Sequence, residues 1–115
     1  IHVEGEPVIL PSRPATSLAL VINELLQNAL EHAFVGRATG EVHISLGRRP
    51  KEYVVEVSDD GVGLPDIKPT SLGLEIVETL VRDDLRGRLD FNSTENGTQV
   101  IVRMPQFEVT SDDLA

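Results

Sequence analysis

The chain has 115 residues, enough for one domain around one core, with 40% hydrophobic and 25% charged residues, the balance of an ordinary soluble globular protein. It has no Cys, which excludes a disulfide scaffold, a Cys-ligated zinc site and a thiol nucleophile, and fits a reducing compartment. A net charge of −9 repels phosphate backbones, and with Tyr53, Phe34, Phe91 and Phe107 as its only aromatics the chain has few platforms for stacking bases, so nucleic acid is not an expected partner.

Residues 1–14 are Pro-rich and read as irregular, with one short apolar run at Val8 to Leu10 as a candidate opening strand. No apolar run approaches the roughly 20 residues that span a bilayer. The first residues, IHVEGEPVIL, lack a basic leader and a Met. The chain is therefore expected to be a domain cut from a longer protein.

From about Thr16 the apolar residues Leu18, Val21, Ile22, Leu25, Leu26, Ala29 and Ala33 follow the period of one buried helix face. Thr16 or Ser17 is the expected N-cap and Gly36 the expected stop. Asn23, Glu24, Gln27, Asn28, Glu31 and His32 make the opposite, polar face. Glu24 and Asn28 are four apart and stack on one side of the helix. Asn is a poor helix former, and a carboxamide oxygen is a good hard-cation ligand. A solvated face explains each of these residues singly. Asn28 as a Mg²⁺ ligand, with Glu24 one turn earlier, explains them together.

The period then changes to two. Val42, Ile44 and Leu46, and after the polar GRRPKE turn Tyr53, Val55 and Val57, predict a hairpin of two strands. The next stretch, DDGVGLPDIKPTSLG, is loop by composition. It opens with Asp59-Asp60-Gly61-Val62-Gly63. A carboxylate at a strand end can accept a hydrogen bond from an amino group, and glycines let backbone approach a flat ring; an ordinary turn also fits this string. A second helix follows, with Gly73, Ile76, Val77, Leu80 and Val81 on one face and Gly87 as its break. At its start Ser71-Leu72-Gly73-Leu74 is either a simple Ser cap or a phosphate site made of free N–H groups. Strands at about 88–93 and 98–104, joined by a turn containing Asn96-Gly97, complete the domain, and the acidic tail QFEVTSDDLA is expected to fray. The order predicts an α+β fold, a two-layer sandwich with helices on one face of a mixed, mostly antiparallel sheet.

These segments, in this order, resemble the Bergerat-fold (GHKL) ATPase superfamily of histidine kinases, type II topoisomerases, Hsp90 and MutL. NELLQNALEHAF (Asn23 to Phe34) is similar to its N box, DDGVGLP (Asp59 to Pro65) to its G1 box, SLGLEIV (Ser71 to Val77) to its G2 box, and NGTQVIVRMP (Asn96 to Pro105) to its closing Gly-Thr box. The resemblance covers roughly residues 15–105 and is best to the catalytic domain of bacterial two-component sensor histidine kinases. It implies ATP and Mg²⁺ as cofactors, Asn28 on the metal, Asp59 on the adenine amine, and Gly61 and Gly63 along the base. It places Gly73, with Ser71, Leu72 and Leu74 around it, at the phosphates. Thr98 falls at the adenine edge, acting through water, His32 near a phosphate, and Glu24 in the catalytic role of orienting or deprotonating the attacking imidazole. In a chain of net charge −9, local N–H groups, cations or a metal must offset the charge of the nucleotide.

The resemblance further implies a cytoplasmic protein kinase, dimeric as a full protein, whose phosphoacceptor histidine lies upstream and whose partner is a response regulator. None of His2, His32 and His43 lies on a separate preceding helix, so the isolated domain is expected to bind ATP and transfer phosphate poorly. Two departures are visible: Glu31 stands where kinases often carry a basic residue, leaving His32, Lys68 or Arg37 to replace it, and the lid from Leu64 to Thr70 is short and lacks a Phe box. An anti-sigma-factor type protein-serine kinase and a degenerate nucleotide-binding interaction module are the alternative readings.

Overall fold

The computed structural model describes residues 2–29, 40–60, 72–94 and 97–107. The chain runs β1 (His2–Gly5), α1 (Ser12–Asn28), β2 (Val42–Arg48), β3 (Glu52–Asp59), α2 (Leu72–Asp83), β4 (Arg88–Thr94) and β5 (Gly97–Pro105). The five strands form one sheet in the order β1-β2-β3-β5-β4. All pairings are antiparallel except β1 with β2, which is parallel. The predicted two-layer α+β sandwich is thus the architecture observed.

Alternation decides which sheet face is covered. In β3, Tyr53, Val55 and Val57 are buried, and in β5 so are Val100, Val102 and Met104; the intervening residues lie on the other face and are half-exposed. The two helices lie over the apolar face. Leu18, Val21 and Leu25 of α1 and Leu74, Val77 and Val81 of α2 join the strand residues and Leu85 in one core. Burial of such side chains contributes about 1.5–3 kcal/mol each relative to exposure. The open face is polar, and there Gln99 of β5 donates to the Glu56 carboxylate on β3.

Several sequence expectations need correction. The first fourteen residues are not wholly irregular: His2–Gly5 pairs with His43–Leu46, although its four side chains are all exposed. Val8 to Leu10 is not a strand. The first helix starts at Ser12, with Pro11 as the flanking residue and the Ala15 N–H reaching the Pro11 carbonyl at 2.9 Å. Pro14 sits in the first turn, where a missing N–H costs nothing and the ring presets φ. Thr16 and Ser17 are therefore interior residues and not caps. The Thr16 hydroxyl donates back to the Ser12 carbonyl at 3.0 Å. The Ser17 hydroxyl is buried and donates to Asp84 at 2.5 Å, joining the start of α1 to the end of α2. Gly36 lies outside the described residues.

Gly87 does not itself break α2. The helix ends at Asp83, Leu85 N–H returns to the Leu80 carbonyl, and Arg86 adopts a left-handed φ of 54°. The Gly87 N–H then bonds the Val81 carbonyl at 2.9 Å, which folds the chain back over the end of the helix before β4. Ile76 is not on the buried face but 47% exposed, while Leu74 takes the core position. Gly97 has a φ of 139°, and a Cβ there would run into the Asp59 backbone, so the β4–β5 turn needs glycine at that point. Among the described residues no helix is long and apolar enough to cross a membrane.

Candidate functional site

Helix α1 and the ends of β3, β5 and α2 converge on a pocket enclosing about 400 Å³, part of it open to solvent. Its walls are Leu25, Ala29, Val57, Leu74, Phe91 and Val100, with Asn28, Asp59 and Thr98 as the polar groups. The position follows from periodicity. Leu25 and Ala29 end the buried stripe of the first helix among the described residues, Val57 is the last inward apolar residue of β3 before Asp59, and Val100 is the second inward residue of β5, after Thr98. The core thus runs out into the pocket, giving an apolar lining with a few placed polar groups, the composition of a small-molecule site.

Asp59 is the last residue of β3 and is paired on both sides, with Val42 and with Thr98. Its backbone is fixed by two ladders, and its half-buried carboxylate reaches the pocket. The Thr98 N–H approaches Asp59 Oδ1 at 3.4 Å, a long bond that ties the carboxylate to the start of β5. Asp60, one residue on, is employed differently: its Oδ1 accepts the Glu41 N–H at 2.9 Å, and its own N–H reaches the Glu41 carbonyl at 3.3 Å. Asp60 fastens the end of the β2–β3 ladder, and the sequence alone does not separate the two neighbouring carboxylates.

Asn28 occupies the last turn of α1. Its Nδ2 is buried with no hydrogen-bond partner among the described residues. An amide left so is costly, about 1–3 kcal/mol, and such an orphan marks a place where a ligand is accommodated. A half-turn of the amide exchanges Nδ2 with Oδ1, a hard oxygen donor suited to Mg²⁺. Among the described residues no group of three or more His, Asp or Glu could hold a metal.

Glu24 is half-buried and not on a solvated face; it stands on the flank of α1 that meets α2. A Cβ on Gly73 would collide with the Glu24 carboxylate, so Gly73 makes the space that this carboxylate fills. Glu24 and Gly73 adjoin each other but do not line the pocket, whereas Asn28, Asp59, Leu74 and Thr98 do. Asn23 and Gln27 are exposed. Gly61, Gly63, Ser71, Glu31, His32, Arg37 and Lys68, with the lid from Leu64 to Thr70, lie outside the described residues, as does the side chain of Leu72. The sequence reading missed the apolar wall, above all Phe91. Its signal was the inward parity of Val57 and Val100 continued across to β4, where Phe91 pairs with Val100.

Comparison with known proteins bears on what this pocket is. The model of the histidine kinase-, DNA gyrase B- and HSP90-like ATPases matches residues 14–108, nearly the whole chain. The chain belongs to that family. The sensor histidine kinase PdtaS of Mycobacterium tuberculosis is 46% identical over 111 residues, covering 91% of this chain and 22% of that protein. The histidine kinase domain of the blue-light-activated kinase EL346 of Erythrobacter litoralis superposes with a TM-score of 0.84 at 33% identity, covering 91% of this chain and 53% of that one. The fold is also shared, at a TM-score of 0.72 and 24% identity, with histidine kinase ThkA in its complex with the response regulator TrrA; 92% of this chain and 34% of that one are covered. Within the family, these homologues place the chain with the ATP-binding catalytic domains of sensor histidine kinases, and it spans about a fifth of the length of the curated PdtaS.

Proposed function

We propose that this domain binds Mg-ATP in the α1–β3–β5 pocket and presents its γ-phosphoryl to a histidine on a dimerisation domain of the same protein, the phosphate then passing to a response regulator. The observation that carries the reading is the Asp59 carboxylate, held between two strands at the polar end of an otherwise apolar pocket. Asp59 accepts the exocyclic amine of adenine, while Leu25, Ala29, Val57, Leu74, Phe91 and Val100 exclude water from the faces of the base. Thr98, whose N–H already leans on Asp59, fixes the orientation of that carboxylate and touches the adenine edge through water. Gly61 and Gly63 allow close approach to the base. Ser71, Leu72 and Gly73, at the start of α2, offer N–H groups to the phosphates, and His32 adds a donor.

Asn28 is the protein ligand suited to Mg²⁺, which when bound neutralises phosphate charge. Phosphoryl transfer depends chiefly on positioning and electrostatic stabilisation. Glu24, next to Gly73, orients or deprotonates the incoming imidazole. That acceptor stands on a part of the protein outside this chain, so the domain alone binds nucleotide and turns over slowly.

Calorimetric titration with ATP, with and without Mg²⁺, tests the reading on the wild type and Asp59→Asn. Wild type should bind, and the variant should lose about 10- to 100-fold, the worth of a hydrogen bond to a charged acceptor. No binding by the wild type at millimolar ATP overturns the proposal and leaves the degenerate interaction module. With an acceptor domain supplied in trans, the phosphorylated product should be acid-labile, as a phosphohistidine is; an acid-stable product would point to the protein-serine kinase alternative.

A further inference from the structure

The end of the sheet away from the nucleotide pocket is built differently. Of the ten Lys and Arg in the chain, six lie there: Arg48 and Arg49 at the end of β2, Lys51 in the β2–β3 turn, Arg86 and Arg88 before and at the start of β4, and Arg103 near the end of β5. Lys51, Arg86, Arg88 and Arg103 line one cleft together with Glu52. Arg103 is the one cation of this group with a carboxylate partner among the described residues, Glu52 at 3.3 Å.

Two local features of this cleft oppose the stability of the fold. Arg88 and Arg103 are direct cross-strand partners in the β4–β5 register, an arrangement in which like charges repel. Arg86, between the end of α2 and the start of β4, has a left-handed φ of 54°, a conformation that glycine enters more readily because it has no Cβ to clash. Side chains kept in unfavourable backbone or like-charge settings are typical of binding sites. Here both features have the same effect, which is to bring guanidinium groups together around a concavity.

We infer that this cleft is a docking site for a short acidic segment of a partner protein, its carboxylates accepting paired hydrogen bonds from Arg86, Arg88 and Arg103. Guanidinium groups match carboxylates in this bidentate way. The length of the occupant follows from charge. Outside this end the chain is more negative still than its net −9, so an extended polyanion such as nucleic acid or an anionic membrane would be repelled beyond the cleft. A segment of a few acidic residues meets only the cations.

The test uses the 115-residue chain and a fluorescein-labelled hexaglutamate peptide, read by fluorescence anisotropy at low and high salt. Saturable binding that weakens with salt is expected, because exposed charges are screened. Arg86→Gly combined with Arg88→Gln should weaken it about tenfold. Arg13→Gln combined with Arg82→Gln, which removes the same charge elsewhere, should leave it unchanged. ATP titration of the cleft variant should match wild type, and since glycine relieves the left-handed position its thermal melt should not fall. Absence of saturable binding, equal losses in both double variants, or equal affinity for a single-stranded oligonucleotide of similar charge would overturn the inference. So would a large gain in peptide affinity on deleting residues 108–115, which would assign the cleft to the acidic segment of this chain itself.

Discussion

The two ends of the helical layer are finished by opposite means. At the end where α1 begins and α2 finishes, polar groups are satisfied within the chain. Ser17 donates to Asp84, Arg13 approaches the same carboxylate at 3.4 Å, and Leu85 is fully buried beneath them. At the other end the same core opens into a pocket whose Asn28 amide nitrogen is buried without a partner among the described residues, and whose Asp59 carboxylate faces the lining. The first end contributes stability that the second does without. Sites that must bind are commonly less well satisfied than the scaffold that holds them.

That division can be broken most severely at Leu85. Leu85→Ala should cost about 2–5 kcal/mol, measured by denaturant unfolding, because a fully buried leucine leaves a cavity. In the fraction that stays folded, ATP affinity should be unaffected; a parallel loss would show the two ends to be coupled. The reverse experiment is Asn28→Ala. Affinity for Mg-ATP should fall about tenfold or more, the scale of a lost charge-assisted contact. The ligand-free melt should stay level or rise, since the change removes an orphaned buried amide. A destabilised Asn28→Ala protein would mean that this amide supports the fold. Smallest is Ser17→Ala, expected to cost about 0.5–1.5 kcal/mol through the lost bond to Asp84 with no change in ATP titration.

How far the sequence disclosed this division depends on the type of signal. The hairpin of β2 and β3 was legible because the inward residues Val42, Ile44, Tyr53, Val55 and Val57 recur at every second position among mostly polar neighbours, Val54 excepted. The buried face of α1 was legible for the same reason. β1 was not, because an edge strand with all four side chains exposed carries no pattern to read. The start of α1 was hidden by Pro11 and Pro14, which look like breakers in isolation but are compatible with a first turn.

At the site, the resemblance of the N, G1 and Gly-Thr boxes implied one site for Asn28, Asp59 and Thr98, and the pocket contains all three. Two things depended on three dimensions. One was the division of labour between Asp59 and Asp60, since only the ladder shows that Asp60 is occupied by Glu41. The other was the position of Glu24, whose place on a polar stripe gave no hint that its carboxylate fills the space above Gly73.

The glycines that bracket β4, Gly87 before it and Gly97 after the turn that follows it, carry a consequence for which substitutions the chain can accept. A Cβ at Gly87 would strike the Arg103 carbonyl, and one at Gly97 the Asp59 carbonyl. In both cases the obstacle is main chain of a neighbouring strand, which no rotamer change can clear. Substitution at either point would therefore have to move a whole strand, and the Gly97 obstacle is the backbone of Asp59 itself. Sequence drift in β4 and the turn after it thereby runs between two fixed points. A library randomised over residues 86–98 should return varied sequences between the two glycines, and the variants that replace Gly97 should be the ones that shift Asp59, the residue proposed to bind adenine, out of place.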